Sequence, residues 1–181
     1  VGPSGEYLHL RLSPDDKQVA IERLDPQTHN GGIRTIELAR GIESQITRDS
    51  SVWDYVPIWS PDGSQLLFSS NRDRWFPEPD ASGGNLYMKA LAGNGDDKAV
   101  LKSAAWKWTT DWSPDGRVVL YFVLSGVNSE LWALPISGDC KPVLFLQGAL
   151  EAQFSPNGRW VAYAAVGEKT PDPWLAGDRI P

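Results

Sequence analysis

The residues of this chain that could do chemistry are mostly carboxylates and aromatic rings. Four acids precede or enter predicted first strands: Asp49, Asp54, Asp111 and Glu151. Paired carboxylates can hydrolyse a glycosidic bond, and carboxylates lining a channel can hold a cation. An acid in front of a strand, however, usually caps a loop or pairs with an arginine of a neighbouring blade. We therefore expect no catalytic residue, no metal and no cofactor, with a carboxylate-based hydrolase or lyase as an alternative.

Other catalytic machinery is poorly represented. The only histidines are His9 and His29, and the sequence has no Gly-x-Ser-x-Gly elbow for a serine nucleophile. A zinc site built from His and Cys is excluded by counting. Cys140 is the only cysteine, so it cannot form an internal disulfide, and we interpret it as a neutral loop residue.

A four-residue phrase divides the chain into repeats. Ser-Pro-Asp or Ser-Pro-Asn begins at Ser13, Ser60, Ser113 and Ser155, at intervals of 47, 53 and 42 positions. Proline presets the first corner of a turn, Asp or Asn suits the second, and the glycine that follows in three of the four copies adopts positive φ without strain. Each phrase is therefore predicted to be a tight reversal between two strands.

The repeats are predicted to be β-propeller blades. Apolar and β-branched runs flank each turn, a third strand and a weaker fourth follow in three repeats, and no segment shows a sustained helical period. Four short antiparallel strands per repeat of about 40–50 residues are typical of a blade. We expect an all-β single domain, 1–181, of about 3.5 blades, a partial or dimer-completed propeller. The predicted boundaries are 5–48, 53–102, 107–147 and a partial blade at 150–176 with a frayed third strand.

Two stretches carry a family resemblance. Pro57 to Phe68 matches Pro-x-Trp-Ser-Pro-Asp-Gly followed by an apolar strand, and resembles the WD40-like repeat of TolB-type propellers. Lys107 to Tyr121 is similar to propellers fused to bacterial serine/threonine kinases. Asp16 departs from the pattern, since the family prefers glycine there. The resemblance implies a β-propeller, a binding role or an accessory role beside an enzyme, and a periplasmic or extracytoplasmic location.

One end of each predicted blade is rich in aromatic residues. The loop entering the first strand and the loop joining the second to the third share the end opposite the Ser-Pro turns. Trp, Tyr and Arg are enriched at binding hot spots, and long loops in compact folds are often functional. We predict that this end binds a protein, a peptide or a small ligand. The alternative is that Trp106 and Trp108 pack between blades and that the loop carrying Trp75 and Phe76 folds over its own surface. The candidate residues are Trp53, Tyr55, Arg72, Trp75, Phe76, Trp106, Trp108 and Asp111.

The composition and the number of blades limit the classes of partner that we expect. The net charge is −6 and no basic run exists, which argues against nucleic acid as a partner. No apolar run is long enough to span a membrane.

Fewer than four complete blades leave two open flanks, so we expect a fragment of a longer propeller, a homodimer that closes the ring, or a C-terminus that caps the edge. The function we predict is a non-catalytic binding scaffold; the alternative is an accessory or sensor domain of a larger kinase- or peptidase-fused enzyme.

Overall fold

The computed structural model describes residues 2–73, 84–93, 95–125 and 128–165. Its first two blades contain the strands β1 (Tyr7–Leu12), β2 (Gln18–Leu24), β3 (Gly31–Glu37), β4 (Ile42–Gln45), β5 (Asp54–Trp59), β6 (Gln65–Ser70), β7 (Asn85–Ala90) and β8 (Lys98–Leu101). The remaining strands are β9 (Lys107–Trp112), β10 (Val118–Ser125), β11 (Asn128–Pro135), β12 (Val143–Gln147), β13 (Ala149–Phe154) and β14 (Val161–Ala165).

The strands form antiparallel sheets in sequence order, as predicted. Blade 1 is β1-β2-β3-β4, blade 2 is β5-β6-β7-β8, blade 3 is β9 to β12, and the described part of blade 4 is β13-β14. All described sheet pairs between consecutive strands are antiparallel. The all-β fold of four-stranded propeller blades is thereby confirmed. The expected third strand of blade 4, at 172–175, lies outside the described residues.

The Ser-Pro turns have one common hydrogen-bond pattern. In the second turn, Ser60 Oγ donates to Asp62 Oδ1 at 2.6 Å and accepts from the Gln65 amide at 2.9 Å. The same two bonds recur around Ser13, Ser113 and Ser155. The serine therefore joins the start of the turn to the start of the second strand, which explains why it recurs in every repeat.

The first strand of each blade carries a β-bulge. The register shifts between Tyr7 and Leu10 in β1, between Tyr55 and Ile58 in β5, near Thr109 in β9, and between Leu150 and Gln153 in β13. Two residues at the bulges, Val56 and Glu151, have φ of 48°. A β-branched residue in this region is a genuine outlier, so the surroundings of Val56 must hold it there.

The chain divides into two compact units, Val1–Trp106 and Lys107–Pro181. The core of the first lies between its two blades: Ala20 and Ile33 of blade 1 pack against Trp59, Leu66, Phe68 and Tyr87 of blade 2. The core of the second contains Val118, Leu120, Leu131 and Ala133 of blade 3 and Ala149 and Ala152 of blade 4. We call the blade surface that meets the preceding blade its leading face, and the opposite surface its trailing face.

Candidate functional site

A buried glutamate organises one end of the first unit. Glu22 of β2 has a side chain only 1% exposed. Its Oε1 accepts a hydrogen bond from Trp53 Nε1 at 2.7 Å, and its Oε2 accepts one from the Val56 amide at 3.2 Å. Oε2 also lies 2.7 Å from His9 Nδ1. A buried carboxylate needs such partners because its desolvation is otherwise costly, and the Val56 bond helps hold that residue at positive φ.

The geometry around Glu22 presents one histidine nitrogen to solvent. The contact with Glu22 Oε2 occupies Nδ1 of His9, which leaves Nε2 as the ring nitrogen available to a ligand. The His9 side chain is 51% exposed. Gly31 lies against this cluster, since a Cβ there would fall 2.3 Å from Trp53 Nε1 and 2.8 Å from Glu22 Oε1. The indole is therefore positioned by packing against Gly31 as well as by its hydrogen bond.

Three candidate aromatic residues form a row in the first unit. The centroids of Trp53 and Tyr55 are 6.4 Å apart in an edge-to-face arrangement, and those of Tyr55 and Trp106 are 6.1 Å apart. Tyr55 is buried, Trp106 is partly buried, and Trp53 is 37% exposed. Burial, with the nearby charges of Glu22 and Asp54, raises the pKa of the Tyr55 hydroxyl. Tyr55 therefore supports the row from inside, and Trp53 is its most accessible ring.

Arg72 lies in an ion-pair network. Its guanidinium bonds Asp54 Oδ1 at 3.0 Å and Asp97 Oδ2 at 2.6 Å, and it lies 4.3 Å from the centre of the Tyr87 ring. Lys89 pairs with the other oxygen of Asp97 at 2.7 Å. Burial lowers the pKa of Arg72, but the two carboxylates outweigh it and leave that pKa raised. Arg72 therefore joins Asp54 and Asp97 within the first unit, as an intramolecular clamp. That it contacts a partner stays a prediction.

The candidates in the second unit have structural neighbours of their own. Trp108 stacks on Phe122 with centroids 5.1 Å apart and planes inclined by 8°. Asp111 accepts a hydrogen bond from the Phe154 amide at 2.7 Å, which links blade 3 to blade 4. Both side chains are partly buried. Lys107, the first residue of β9, is buried, and burial lowers its pKa to about 8.

The four acids considered for catalysis have different surroundings. Asp49 accepts hydrogen bonds from the amide and hydroxyl of Ser51, and Asp54 is paired with Arg72. Asp111 binds a backbone amide, and Glu151 is exposed at a bulge. Asp49 therefore caps its own loop, whereas the arginine that Asp54 pairs with belongs to its own blade rather than to a neighbouring one.

Two of the predicted contact residues, Trp75 and Phe76, lie outside the described residues. His9 and Glu22 were not among the predicted ones. One signal pointed to Glu22: a glutamate in the apolar run Val19-Ala20-Ile21 requires a polar partner if the strand is buried. No sequence rule identifies that partner, because His9 and Trp53 lie on other strands or loops.

Grooves occur at the turn end of the blades. In the first unit a groove of about 300 Å³ lies between the turns at Pro14 and Pro61, and in the second a groove of about 410 Å³ lies between those at Pro114 and Pro156. The serine and Asp or Asn side chains lining them already bond within their own turns. These grooves are therefore the seams between successive turns.

The described part of the chain has neither a metal-binding cluster nor a helix that could span a membrane. No group of three or more His, Cys, Asp or Glu residues there is arranged to hold a metal ion. Among these same residues, no helix has the length and apolarity to cross a membrane.

The chain is similar to several solved propeller structures. It aligns over 91% of its length with 39% of TolB from Acinetobacter baumannii, with a TM-score of 0.72 and 18% identity. It aligns over 90% with 58% of a chain in a nidogen/laminin complex, with a TM-score of 0.68 and 11% identity. The third alignment joins 83% of this chain to 23% of a prolyl endopeptidase, with a TM-score of 0.60 and 17% identity.

The fold is therefore that of a β-propeller. More particularly, its blades are TolB-like, as the resemblance of the repeats implied. The chain spans between about a quarter and three fifths of the length of these three proteins. No protein-family model and no curated protein matches the sequence.

Proposed function

We propose that this chain is a non-catalytic binding scaffold whose aromatic end contacts a protein or peptide. The observation that carries the proposal is the Trp53 indole, which is partly exposed while its N–H is anchored on buried Glu22. A ring fixed in this way loses little conformational freedom on binding, which favours affinity. Tyr55 supports it from below, and the half-exposed His9 lies on the same carboxylate.

The chemistry of the cluster suits a peptide. Trp53 offers an apolar ring face, and Nε2 of His9 can form a hydrogen bond with a backbone or side-chain group. Aromatic anchors next to a few oriented polar atoms are typical of binding surfaces. The nidogen/laminin structure contains a propeller of similar fold in a complex between proteins, which makes protein binding a reasonable use of such blades.

A random peptide library displayed on phage provides a test that needs no known ligand. Peptides selected on the wild-type chain should bind Trp53→Ala and His9→Ala at least about tenfold more weakly, the loss associated with a hot spot of 1.4 kcal/mol or more. Trp160→Ala is the matched control, since Trp160 is 51% exposed on blade 4. Peptides that bind all four proteins equally would contradict the proposal.

A structural role for Trp53 must be separated from a binding role. Trp53→Phe keeps an aromatic ring but removes the N–H donor to Glu22, and thermal unfolding of every variant reports the structural cost. Weaker binding by His9→Ala with an unchanged melting temperature would support a direct contact, because His9 is exposed. If binding and stability fall together in every variant, the cluster is only structural.

The second candidate function is an accessory or sensor domain in a larger enzyme. It is favoured by the alignment with a prolyl endopeptidase, of which this chain matches 23%. The resemblance of Lys107 to Tyr121 to kinase-fused propellers points the same way. Reading the native gene on both sides of the sequence tests it: a kinase or peptidase domain in the same frame would support this function, and stop codons close to both ends would exclude it.

A further inference from the structure

The loop that carries Trp53 into β5 is fastened to both blades of the first unit. From blade 1, Asn30 Nδ2 donates a hydrogen bond to the Ser50 carbonyl at 2.9 Å. From blade 2, Asn71 bonds Trp53 twice. The Trp53 amide donates to Asn71 Oδ1 at 2.7 Å, and the Asn71 amide donates to the Trp53 carbonyl at 3.1 Å. A single residue therefore holds both the donor and the acceptor of the Trp53 backbone.

These two bonds extend the sheet of blade 2 by one pair of residues. The register of β5 and β6 ends with Asp54 opposite Ser70, so Trp53 and Asn71 occupy the next pair of positions. In an ordinary hydrogen-bonded pair of an antiparallel ladder, the two residues exchange bonds between amides and carbonyls. Here Asn71 Oδ1 takes the place of a backbone carbonyl, so the pair depends on this side chain.

The Trp53 side chain is fixed from the other blade. Glu22 lies on the trailing face of blade 1, opposite Ile33 in the register, and accepts the indole N–H at 2.7 Å. The edge of the ring that carries Nε1 and Cδ1 lies against Gly31, where a Cβ would fall 2.3 Å and 2.6 Å from these two atoms. Anchors on the backbone and on Nε1 together determine the direction of the ring.

The repeats show that a blade does not require asparagine at the position of Asn71. Asn71 is the eleventh residue after its turn serine, Ser60. The other repeats have apolar residues at this position: Leu24, Leu124 and Val166. The asparagine occurs in the repeat whose entering loop presents Trp53, which is 37% exposed. The Trp53 loop therefore explains the asparagine better than the fold that all blades share.

We propose that Asn71 is a positioning residue of the partner-binding surface, which holds Trp53 in the direction in which its ring meets a peptide. This inference rests on the proposed function of the aromatic end and adds a residue that acts on it from behind. Asn71 is partly buried and its Oδ1 is already bonded, so its effect passes through Trp53. A ring that is held in one direction before binding loses less conformational freedom when the peptide binds.

A double-mutant cycle on peptides selected with the wild-type chain tests this route. Asn71→Ala should weaken their binding about fivefold, which is within the cost of ordering one side chain on binding. In the Trp53→Ala background, the same substitution should change the dissociation constant by less than about twofold, because the ring that Asn71 positions is absent. A general structural loss would appear in both backgrounds.

The hold on the ring can also be measured without a peptide. The indole N–H of Trp53 gives its own signal in a 1H–15N spectrum, which Trp53→Phe assigns among the nine tryptophans. Its bond to buried Glu22 should protect it from exchange with solvent. Asn71→Ala should speed this exchange about fivefold, in step with the loss of affinity. Asn71→Asp keeps an acceptor at the same distance from the backbone, so it should retain both the protection and the affinity.

Asn157→Ala is the matched control. Asn157 Oδ1 likewise accepts a backbone amide, from Arg159 at 3.1 Å, but in a turn of the second unit. This substitution should leave the exchange rate and the affinity unchanged. Thermal unfolding reports whether each variant is folded. If Asn71→Ala does not fold, Asn71→Ser takes its place, because the serine hydroxyl is one bond shorter and does not reach the Trp53 amide.

The outcomes separate this inference from the function on which it rests. Peptides whose binding is indifferent to Trp53→Ala would overturn the proposed function, and this inference with it. Peptides that require Trp53 but bind Asn71→Ala normally would overturn the inference alone. So would an equal loss from Asn71→Ala in the two backgrounds, or an indole exchange rate that this substitution leaves unchanged.

Discussion

The two ends of the blades are built on different principles. At the turn end, four turns repeat the same bonds: the serine hydroxyl donates to Asp or Asn at 2.6–2.7 Å and accepts a backbone amide at 2.9–3.0 Å. At the aromatic end, each blade differs. Blade 1 has a glutamate bound by an indole and an imidazole, blade 2 an arginine between two aspartates, and blade 3 a tryptophan stacked on phenylalanine.

This difference separates the bonds that all blades share, which specify the fold, from the contacts that differ from blade to blade. The turn bonds are local in sequence, so each repeat can form them without reference to its neighbours. The contacts of the aromatic end join residues that are distant in sequence, such as Glu22 and Trp53. A change at the aromatic end can alter one blade without disturbing the repeated turns. We therefore expect partner specificity to develop at the aromatic end.

The largest effect should come from the arginine clamp of the aromatic end. Arg72→Met would leave the carboxylate of Asp54, 1% exposed, without the cation that it pairs with, and would leave Asp97, 12% exposed, with only Lys89 of its two cations. Loss of one partner of a buried ion pair costs about 3 kcal/mol or more, so urea unfolding should show a loss of this order. Arg117→Met at the turn end should cost about 0.5 kcal/mol or less, because that side chain is 76% exposed. Equal losses would contradict the contrast between the ends.

A smaller effect should come from the turn serines, graded by burial. Ser113→Ala leaves the buried Val118 amide without its acceptor, which should cost about 1–2 kcal/mol. Ser155→Ala, whose partner amide on Trp160 is exposed, should cost about 0.5 kcal/mol. Urea titrations of both variants check this. If Ser155→Ala costs the more, burial does not control the strength of the turn.

The Asp62 charge should appear as a dependence of stability on pH. Hydrogen bonds from Ser60, and from the amide and hydroxyl of Ser64, lower the pKa of Asp62 from 3.8 to about 2. A lowered pKa means stability that is present above pH 3.8 and lost as pH falls toward 2. The melting temperature of Asp62→Asn should vary less than that of the wild type between these pH values. Asn157 already makes the corresponding bonds in blade 4, so the substitution should preserve the turn.

The smallest effect should be a gain. Asp16 has φ of 57° where the other turns have glycine, at 69°, 76° and 68° for Gly63, Gly116 and Gly158. Asp16→Gly removes that strain but raises the entropy of the unfolded chain, so the net stabilisation should be about 0.5 kcal/mol. Gly116→Asp is the reverse control and should destabilise. A loss of stability in Asp16→Gly would show that the aspartate side chain contributes to its turn.

The sequence was sufficient for the blades but not for the site. The Ser-Pro phrases and the β-rich runs predicted the sheets because turn chemistry and strand alternation are local. The partners of Arg72 and Glu22 could not be predicted, since they depend on register across strands and on packing between blades. Tyr55, one of the predicted contact residues, is buried beneath Trp53 for the same reason.

The proline and glycine of successive turns have a further consequence, for how such a chain can lengthen. Pro14 lies next to Gly63, and Pro114 next to Gly158. The glycine of each of these turns therefore lies against the proline of the preceding turn. Because a Ser-Pro-Asp-Gly turn contains both residues, a duplicated blade is already complementary to the blade from which it was copied. Gene duplication can therefore extend such an array without compensating substitutions at the turn, while later changes accumulate at the other end.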